Sequence, residues 1–101
     1  MLRFLAVFVG VACLAACAGA PVQEMSDARQ AIAAAGAAGA TSATSPDFSA
    51  AELAIARAQS HLEAQEFTRA RLAALEAKRH AAVALESANA QHPEAASTPP
   101  H

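Results

Sequence analysis

The sequence predicts an all-α protein, a small three-helix or helical-hairpin domain. Alanine, the best helix former, recurs at intervals of three and four residues through most of the chain. No run of β-branched or aromatic residues alternates with period two, as a half-buried strand would require. Helix start signals formed by Ser, Pro and Thr separate the alanine-rich stretches.

The first element is a segment with the pattern of a secretory signal. Arg3 supplies one positive charge, and residues 4–12 are apolar apart from Gly10. This run is too short for a transmembrane helix, which needs about 20 apolar residues. We therefore expect residues 1–16 to be a signal peptide that is removed by cleavage.

The end of this segment resembles the lipobox of bacterial lipoproteins, in which a peptidase recognises an aliphatic residue and two small residues before a cysteine. Leu14, Ala15, Ala16 and Cys17 form that series here. The resemblance implies that the first three are recognised by the signal peptidase. It also implies that Cys17 becomes the first residue of the mature protein and carries covalent diacylglyceryl and N-acyl lipid. Membrane lipid is then one partner of the chain. We expect no other cofactor and no metal.

Two neighbouring residues bear on this prediction. Cys13 is a competing acceptor, but Gly10 stands where a lipobox has a bulky aliphatic residue. Ala18 after the cysteine, where an Asp would favour the inner membrane, points to the periplasmic face of the outer membrane. The alternatives are an ordinary secretory signal in which Cys17 is incidental, or an uncleaved N-terminal helix.

The remaining chain is one small domain of 85 residues. Loss of Arg3 leaves six Lys and Arg against nine Asp and Glu, a net charge of −3. Nucleic-acid binding uses clustered basic charge, so we expect no nucleic-acid partner. Twelve large apolar residues can close a helical hairpin but cannot enclose a substrate pocket of several hundred Å3, so we expect no small-molecule substrate.

The alanine-rich domain, residues 17–90, divides into three predicted helices. The first spans residues 22–38, after Pro21, and its apolar positions share one face: Met25, Ala28, Ile32, Ala35 and Gly39. A linker follows over residues 40–46. The second helix begins where Ser45 caps it with Pro46 in the first turn, or one turn later with Ser49 paired to Glu52. We favour the earlier start and a helix over residues 46–64.

The third predicted helix spans residues 69–89, with Thr68 as its N-cap. One continuous rod from residue 46 is the alternative, because neither Gly nor Pro interrupts residues 65–67. Alanines form one seam along this helix: Ala70, Ala73, Ala77, Ala81, Ala84 and Ala88. Four larger residues are expected to pack the hairpin: Phe48, Leu62, Phe67 and Leu72. The polar, Pro-rich residues 91–101 are predicted to be a disordered tail.

The order of these elements resembles the domain-of-unknown-function family numbered 4398, found in proteobacterial envelope lipoproteins. A Ser-Pro helix start follows the lipobox and the first alanine-spaced helix, and Phe67-Thr-Arg-Ala70 leads into the third. The resemblance covers roughly residues 21–88. It implies an envelope location and a tetratricopeptide-like helical hairpin, and it implies no activity.

The histidines are the only candidates for acid–base or metal chemistry. Glu76 and His80 stand four residues apart on the third helix, and Arg57 and His61 do so on the second. A metal site needs three or four converging ligands, and no nucleophile or phosphate-loop motif is present in the sequence. A solvated surface pair explains the spacing of Glu76 and His80. We therefore expect no enzyme activity.

These observations favour an anchored interaction or spacer module in the periplasm, with an envelope protein as partner. Two alternatives remain open at this point. The alanine seams could form an oligomer, which would make the chain a self-associating structural lipoprotein of the envelope. The apolar faces could instead open around a hydrophobic ligand, although large apolar residues are scarce.

Overall fold

The computed structural model describes residues 19–91 and shows three α-helices, which confirms the all-α fold. They are α1 (Val22–Ala37), α2 (Pro46–Glu63) and α3 (Phe67–Gln91). No strand occurs in this part of the chain. None of the helices within it is long and apolar enough to cross a membrane. The signal peptide, the lipobox residues, Cys17 and nearly all of the predicted tail lie outside the described residues.

The start of α2 follows the earlier of the two predicted signals. Ser45 is extended, with φ of −135°, and its side-chain oxygen accepts a hydrogen bond from the backbone N–H of Phe48. The N···O distance is 3.1 Å. Pro46 occupies the first turn, where its missing N–H costs nothing. The helix therefore begins at Pro46, one turn before the alternative at Ser49.

A tight turn separates α2 from α3, so the two helices form a hairpin and not a continuous rod. Gln65 has a φ of 61°, in the left-handed region. The N–H of Glu66 donates to the carbonyl of His61 at 2.8 Å, and the N–H of Gln65 donates to Leu62 at 3.0 Å. These two bonds form a Schellman motif, which terminates a helix by reversing the backbone at one residue.

This turn also places the start of α3 two residues earlier than predicted. The Schellman bonds end at Glu66, and helical hydrogen bonding resumes at once, because the N–H of Ala70 donates to the carbonyl of Glu66 at 2.9 Å. Thr68 therefore lies inside the helix, and its predicted role as the N-cap is wrong. The helix continues to Gln91, two residues beyond the predicted end.

The alanine seam of α3 forms the centre of the fold. All six predicted seam residues are buried, together with Ala74. Alanine side chains let helix axes approach closely, at the short end of the usual 8–10 Å range. The seam packs on both other helices: α1 runs parallel to α3, as the Glu24–Arg71 and Asp27–Lys78 ion pairs show, and α2 runs antiparallel to it.

The core divides into two clusters along the seam. One is built on Met25 and the other on Ala35, and alanines of α2 and α3 supply most of the rest. The predicted face of α1 is confirmed at its buried residues Met25, Ala28 and Ala35. Gly39 lies beyond the helix, where its φ of 109° reverses the chain.

The structure places the four residues that were expected to pack the hairpin in different environments. Leu62 packs against the Met25 cluster, and Phe48 packs against the Ala35 cluster. The ring of Phe67 lies beside Gly19. Leu72 is 62% exposed, so its predicted packing role is wrong. The close approach of the helices through alanine leaves Leu72 outside the seam, on the solvent side of α3.

Candidate interaction surface

The solvent face of α3 carries a stripe with a helical repeat. Leu72, Glu76, Arg79 and Val83 stand at positions i, i+4, i+7 and i+11, which a 3.6-residue turn places on one side of the helix. This side faces away from the alanine seam. Leu72 is 62% exposed and Val83 is 40% exposed, so two large apolar side chains of the stripe meet solvent.

A second stripe on α2 joins the first through an ion pair. Leu53 and Arg57 stand four residues apart on α2, and Leu53 is 65% exposed. Nη2 of Arg57 lies 3.4 Å from Oε1 of Glu76 on α3. Because this contact brings the stripes side by side, their members border one surface. We call it the hairpin surface: Leu53, Arg57, Leu72, Glu76, Arg79 and Val83.

A chain of polar contacts continues from this ion pair across the hairpin. Oε1 of Glu76 lies 3.8 Å from Nε2 of His80. Nδ1 of His80 lies 3.0 Å from Oδ1 of Asp47, in the first turn of α2. Each exposed pair contributes about 1 kcal/mol or less to stability. The Arg57–Glu76 and Asp47–His80 contacts join α2 to α3 and agree with a single register of the hairpin, on which the hairpin surface depends.

Arg79 differs from the other charged residues of the surface. Arg57 and Glu76 pair with each other, whereas Arg79 makes no ion pair within residues 19–91. It stands between Leu72 and Val83 in the stripe. The hairpin surface therefore offers three apolar contacts and one available positive charge.

The predicted surface pair of Glu76 and His80 is present, with Asp47 as an additional partner of the histidine. His80 lies closer to Asp47 than to Glu76. Arg57 and His61 separate: Arg57 reaches Glu76, and Nδ1 of His61 lies 3.0 Å from Oε1 of Glu66. No group of three or more potential metal ligands forms within the described part of the chain.

The turn between α2 and α3 contains the carboxyl group with a shifted pKa. The hydrogen bond from His61 lowers the pKa of Glu66 below its ordinary value of 4.5. Loss of hydration opposes this change, and the positive charges of Arg69 and His61 add to it. Glu66 thus links His61 at the end of α2 to Arg69 in the first turn of α3.

A shallow cleft lies at the opposite end of the helices. Its volume is about 130 Å3, and Ala40, Ser45, Ala84 and Ala88 are among its lining residues. Ligand pockets usually enclose about 300–1,000 Å3. A cleft of this size has room for a few water molecules and not for a lipid or a peptide.

Sequence reasoning did not identify the hairpin surface. It assigned Leu72 to the core, and it grouped neither Leu53 nor Val83 with a site. The signal was present as the spacing of Leu72, Glu76, Arg79 and Val83 on the side of α3 opposite the alanine seam. The contact that joins α2 to this stripe depends on the register of the hairpin, which the sequence does not specify.

Comparison of the chain with models of protein families, with curated proteins and with solved structures finds no match. The resemblance to the family numbered 4398 therefore stays a prediction.

Proposed function

We propose that this chain is a lipid-anchored interaction and spacer module of the bacterial envelope, and that it works without catalysis. The observation that carries the proposal is the hairpin surface. It exposes Leu53, Leu72 and Val83 around the Arg57–Glu76 ion pair, on two helices held in fixed register. Exposed apolar side chains grouped in this way are typical of a protein-binding surface.

The lipobox pattern supports the anchor. Acyl chains on Cys17 would each contribute about 0.8 kcal/mol per buried methylene, and two such chains are enough for stable membrane attachment. Anchoring would confine the hairpin surface to a thin layer and raise its effective concentration toward other anchored proteins. With 25 residues, α3 is about 36 Å long, so the module also spaces its partner from the membrane.

Two cysteine variants test the anchor. Cys17→Ser should abolish incorporation of labelled palmitate and release the protein from the membrane fraction. Cys13→Ser is the matched control and should keep both the label and the membrane location. Label retained by Cys17→Ser, or an unacylated protein that still contains residues 1–16, would contradict the proposed anchor.

Self-association is the second candidate function, because the three exposed apolar side chains of the hairpin surface could pair with a second copy. Arg79 opposes the simplest arrangement: two α3 helices that rise side by side from one membrane would bring Arg79 against Arg79. Sedimentation of residues 18–101 separates the candidates. A constant monomer mass supports a different protein as partner, whereas a mass that rises with concentration supports self-association.

A third candidate function, the carrying of a hydrophobic ligand, has less support. The cleft of about 130 Å3 is polar at Ser45 and Thr44 and too small for an acyl chain. Opening the helices around a ligand would also break the alanine seam, where most buried residues of α3 lie.

A further inference from the structure

The chain just after Cys17 is fastened to one end of the bundle. Gly19 is half-buried, and Pro21 is among the most deeply buried residues. A Cβ atom built on Gly19 would lie 3.7 Å from Cδ2 of Phe67, and Nη2 of Arg71 donates to the carbonyl of Gly19 at 3.5 Å. Gly19 therefore lies beside the first turn of α3.

This attachment fixes where the anchor leaves the folded body. Two residues of chain span at most about 7 Å, so the sulfur of Cys17 lies within about one helix diameter of Gly19. The Arg71 side chain also pairs with Glu24 of α1 at 3.3 Å, which holds the first turn of α1 to the same place. Only Ala18 stands between Cys17 and Gly19 in the sequence.

We propose that the end of the bundle formed by the α2–α3 turn and the first turn of α1 lies against the lipid headgroups. This inference rests on the proposed lipid anchor at Cys17. The connection between α1 and α2, residues 38–45, lies at the other end of α2. An 18-residue helix is about 26 Å long, so this connection stands about 25 Å further from the membrane.

The end formed by the α2–α3 turn and the first turn of α1, which we call the proximal end, has exposed side chains that suit a lipid surface. Val22 is 69% exposed, and the side chain of Arg69 is 71% exposed. Val22 offers an apolar contact at the headgroup boundary, and Arg69, which also pairs with Glu66 at 3.4 Å, offers N–H donors for phosphate. Acyl chains supply the attachment, and these residues set which part of the protein faces the lipid.

The long faces of the described helices do not suit a bundle that lies flat on the membrane. An interfacial helix needs a continuous apolar face that enters the headgroup region. Here the outer face of α1 carries Arg29 and Gln30, that of α2 carries Glu52 and Arg57, and that of α3 carries Arg79 and Glu86. The end-on orientation keeps the charged residues of these three faces in water, and at the end near the membrane Glu66 and Arg69 pair with each other at 3.4 Å.

Two single-cysteine variants of the acylated full chain test this orientation. Thr68→Cys lies in the first turn of α3, and Ala43→Cys lies in the α1–α2 connection; both positions are exposed. Acylation occupies the thiol of Cys17 and cleavage removes Cys13, so each variant has one free thiol for a fluorophore. The labelled proteins are reconstituted in phosphatidylethanolamine–phosphatidylglycerol vesicles that contain a headgroup-nitroxide lipid.

We expect the nitroxide to quench the probe at position 68 at least about three-fold more strongly than the probe at position 43, because nitroxide quenching fades over the 25 Å between them. Equal quenching, or stronger quenching at position 43, would overturn the orientation. The intact mass of the same samples reports acylation. An acylated protein with the wrong quenching pattern overturns this inference alone, whereas a missing acyl mass removes the anchor and the inference together.

Discussion

The ring of Phe48 packs on Gly36 across the interface between α2 and α1. A Cβ atom built on Gly36 would lie 3.7 Å from Cζ of Phe48, an ordinary van der Waals distance. Gly36 is thus a helical glycine with room for a methyl group. The packing of the Phe48 ring therefore does not require a glycine at position 36.

Gly36→Ala is therefore expected to stabilise the protein. Alanine is favoured over glycine within a helix by about 0.5–1 kcal/mol, and the added methyl group meets the Phe48 ring without displacing it. Urea unfolding of residues 18–101, followed by circular dichroism at 222 nm, measures the gain in the free energy of unfolding.

Gly39→Ala is the matched control and should lower the free energy of unfolding. Gly39 has a φ of 109°, which alanine rarely adopts. The expected loss is about 1 kcal/mol or more in the free energy of unfolding. Equal effects of the two variants would show that the chain reversal after α1 does not depend on Gly39.

Enlarging a seam alanine should destabilise the bundle. Ala77 is fully buried in the Met25 cluster, so Ala77→Leu adds three carbons where residues of all three helices pack together. The expected loss is about 1–3 kcal/mol in the free energy of unfolding. Ala82→Leu on the exposed side of the same helix should change it by less than about 0.5 kcal/mol. Similar losses in both variants would contradict a core built on the seam.

Acidification should loosen the α2–α3 turn through Glu66. Its pKa is lower in the folded protein than the ordinary value of 4.5, because His61 hydrogen bonds to the ionised carboxylate. The resulting stabilisation is complete above pH 4.5 and is lost as the pH falls from there through the lower, folded pKa. Urea unfolding at pH 7 and at successive values below 4.5 measures this loss.

Glu66→Gln should remove that part of the pH dependence. Glu63→Gln is the control: it removes an equal charge three residues earlier, where the carboxylate accepts a hydrogen bond from Gln59. The control should keep the acid sensitivity of the unsubstituted chain. If both variants behave alike, the acid sensitivity has a source other than the contact between His61 and Glu66.

The substitution Leu72→Glu should separate binding from folding. Leu72 is largely exposed and makes no part of either core cluster, so the free energy of unfolding should change by less than about 0.5 kcal/mol. The charge would nevertheless disrupt an apolar contact at one end of the hairpin surface. A large loss of stability would show that Leu72 packs within the fold, as the sequence first indicated.

Local sequence signals predicted most of the fold. The Ser45-Pro46 start of α2 needs only the chemistry of a helix N-terminus, and the seam of α3 follows from alanine spacing alone. Both features depend on residues near one another in the chain. Their prediction needed no knowledge of how the helices meet.

The hairpin surface as a whole depends on the register of α2 against α3, which no local sequence pattern indicates. The reversal at Gln65 uses a left-handed residue that is not glycine, so no turn signal marked the start of α3 at Phe67. That turn sets the register in which Arg57 reaches Glu76. Leu72 was misplaced because its size suggested burial, whereas its position two residues after Ala70 puts it on the side of α3 opposite the seam.

Photo-crosslinking from the hairpin surface tests the central claim most directly. A photoreactive amino acid replaces Leu72 in the acylated full chain in its own membrane, and Ala33 on the exposed side of α1 serves as the control position. We expect one recurrent envelope protein to crosslink from position 72 and not from position 33. Identical products from both positions, or no product from position 72, would contradict an interaction module that binds through this surface.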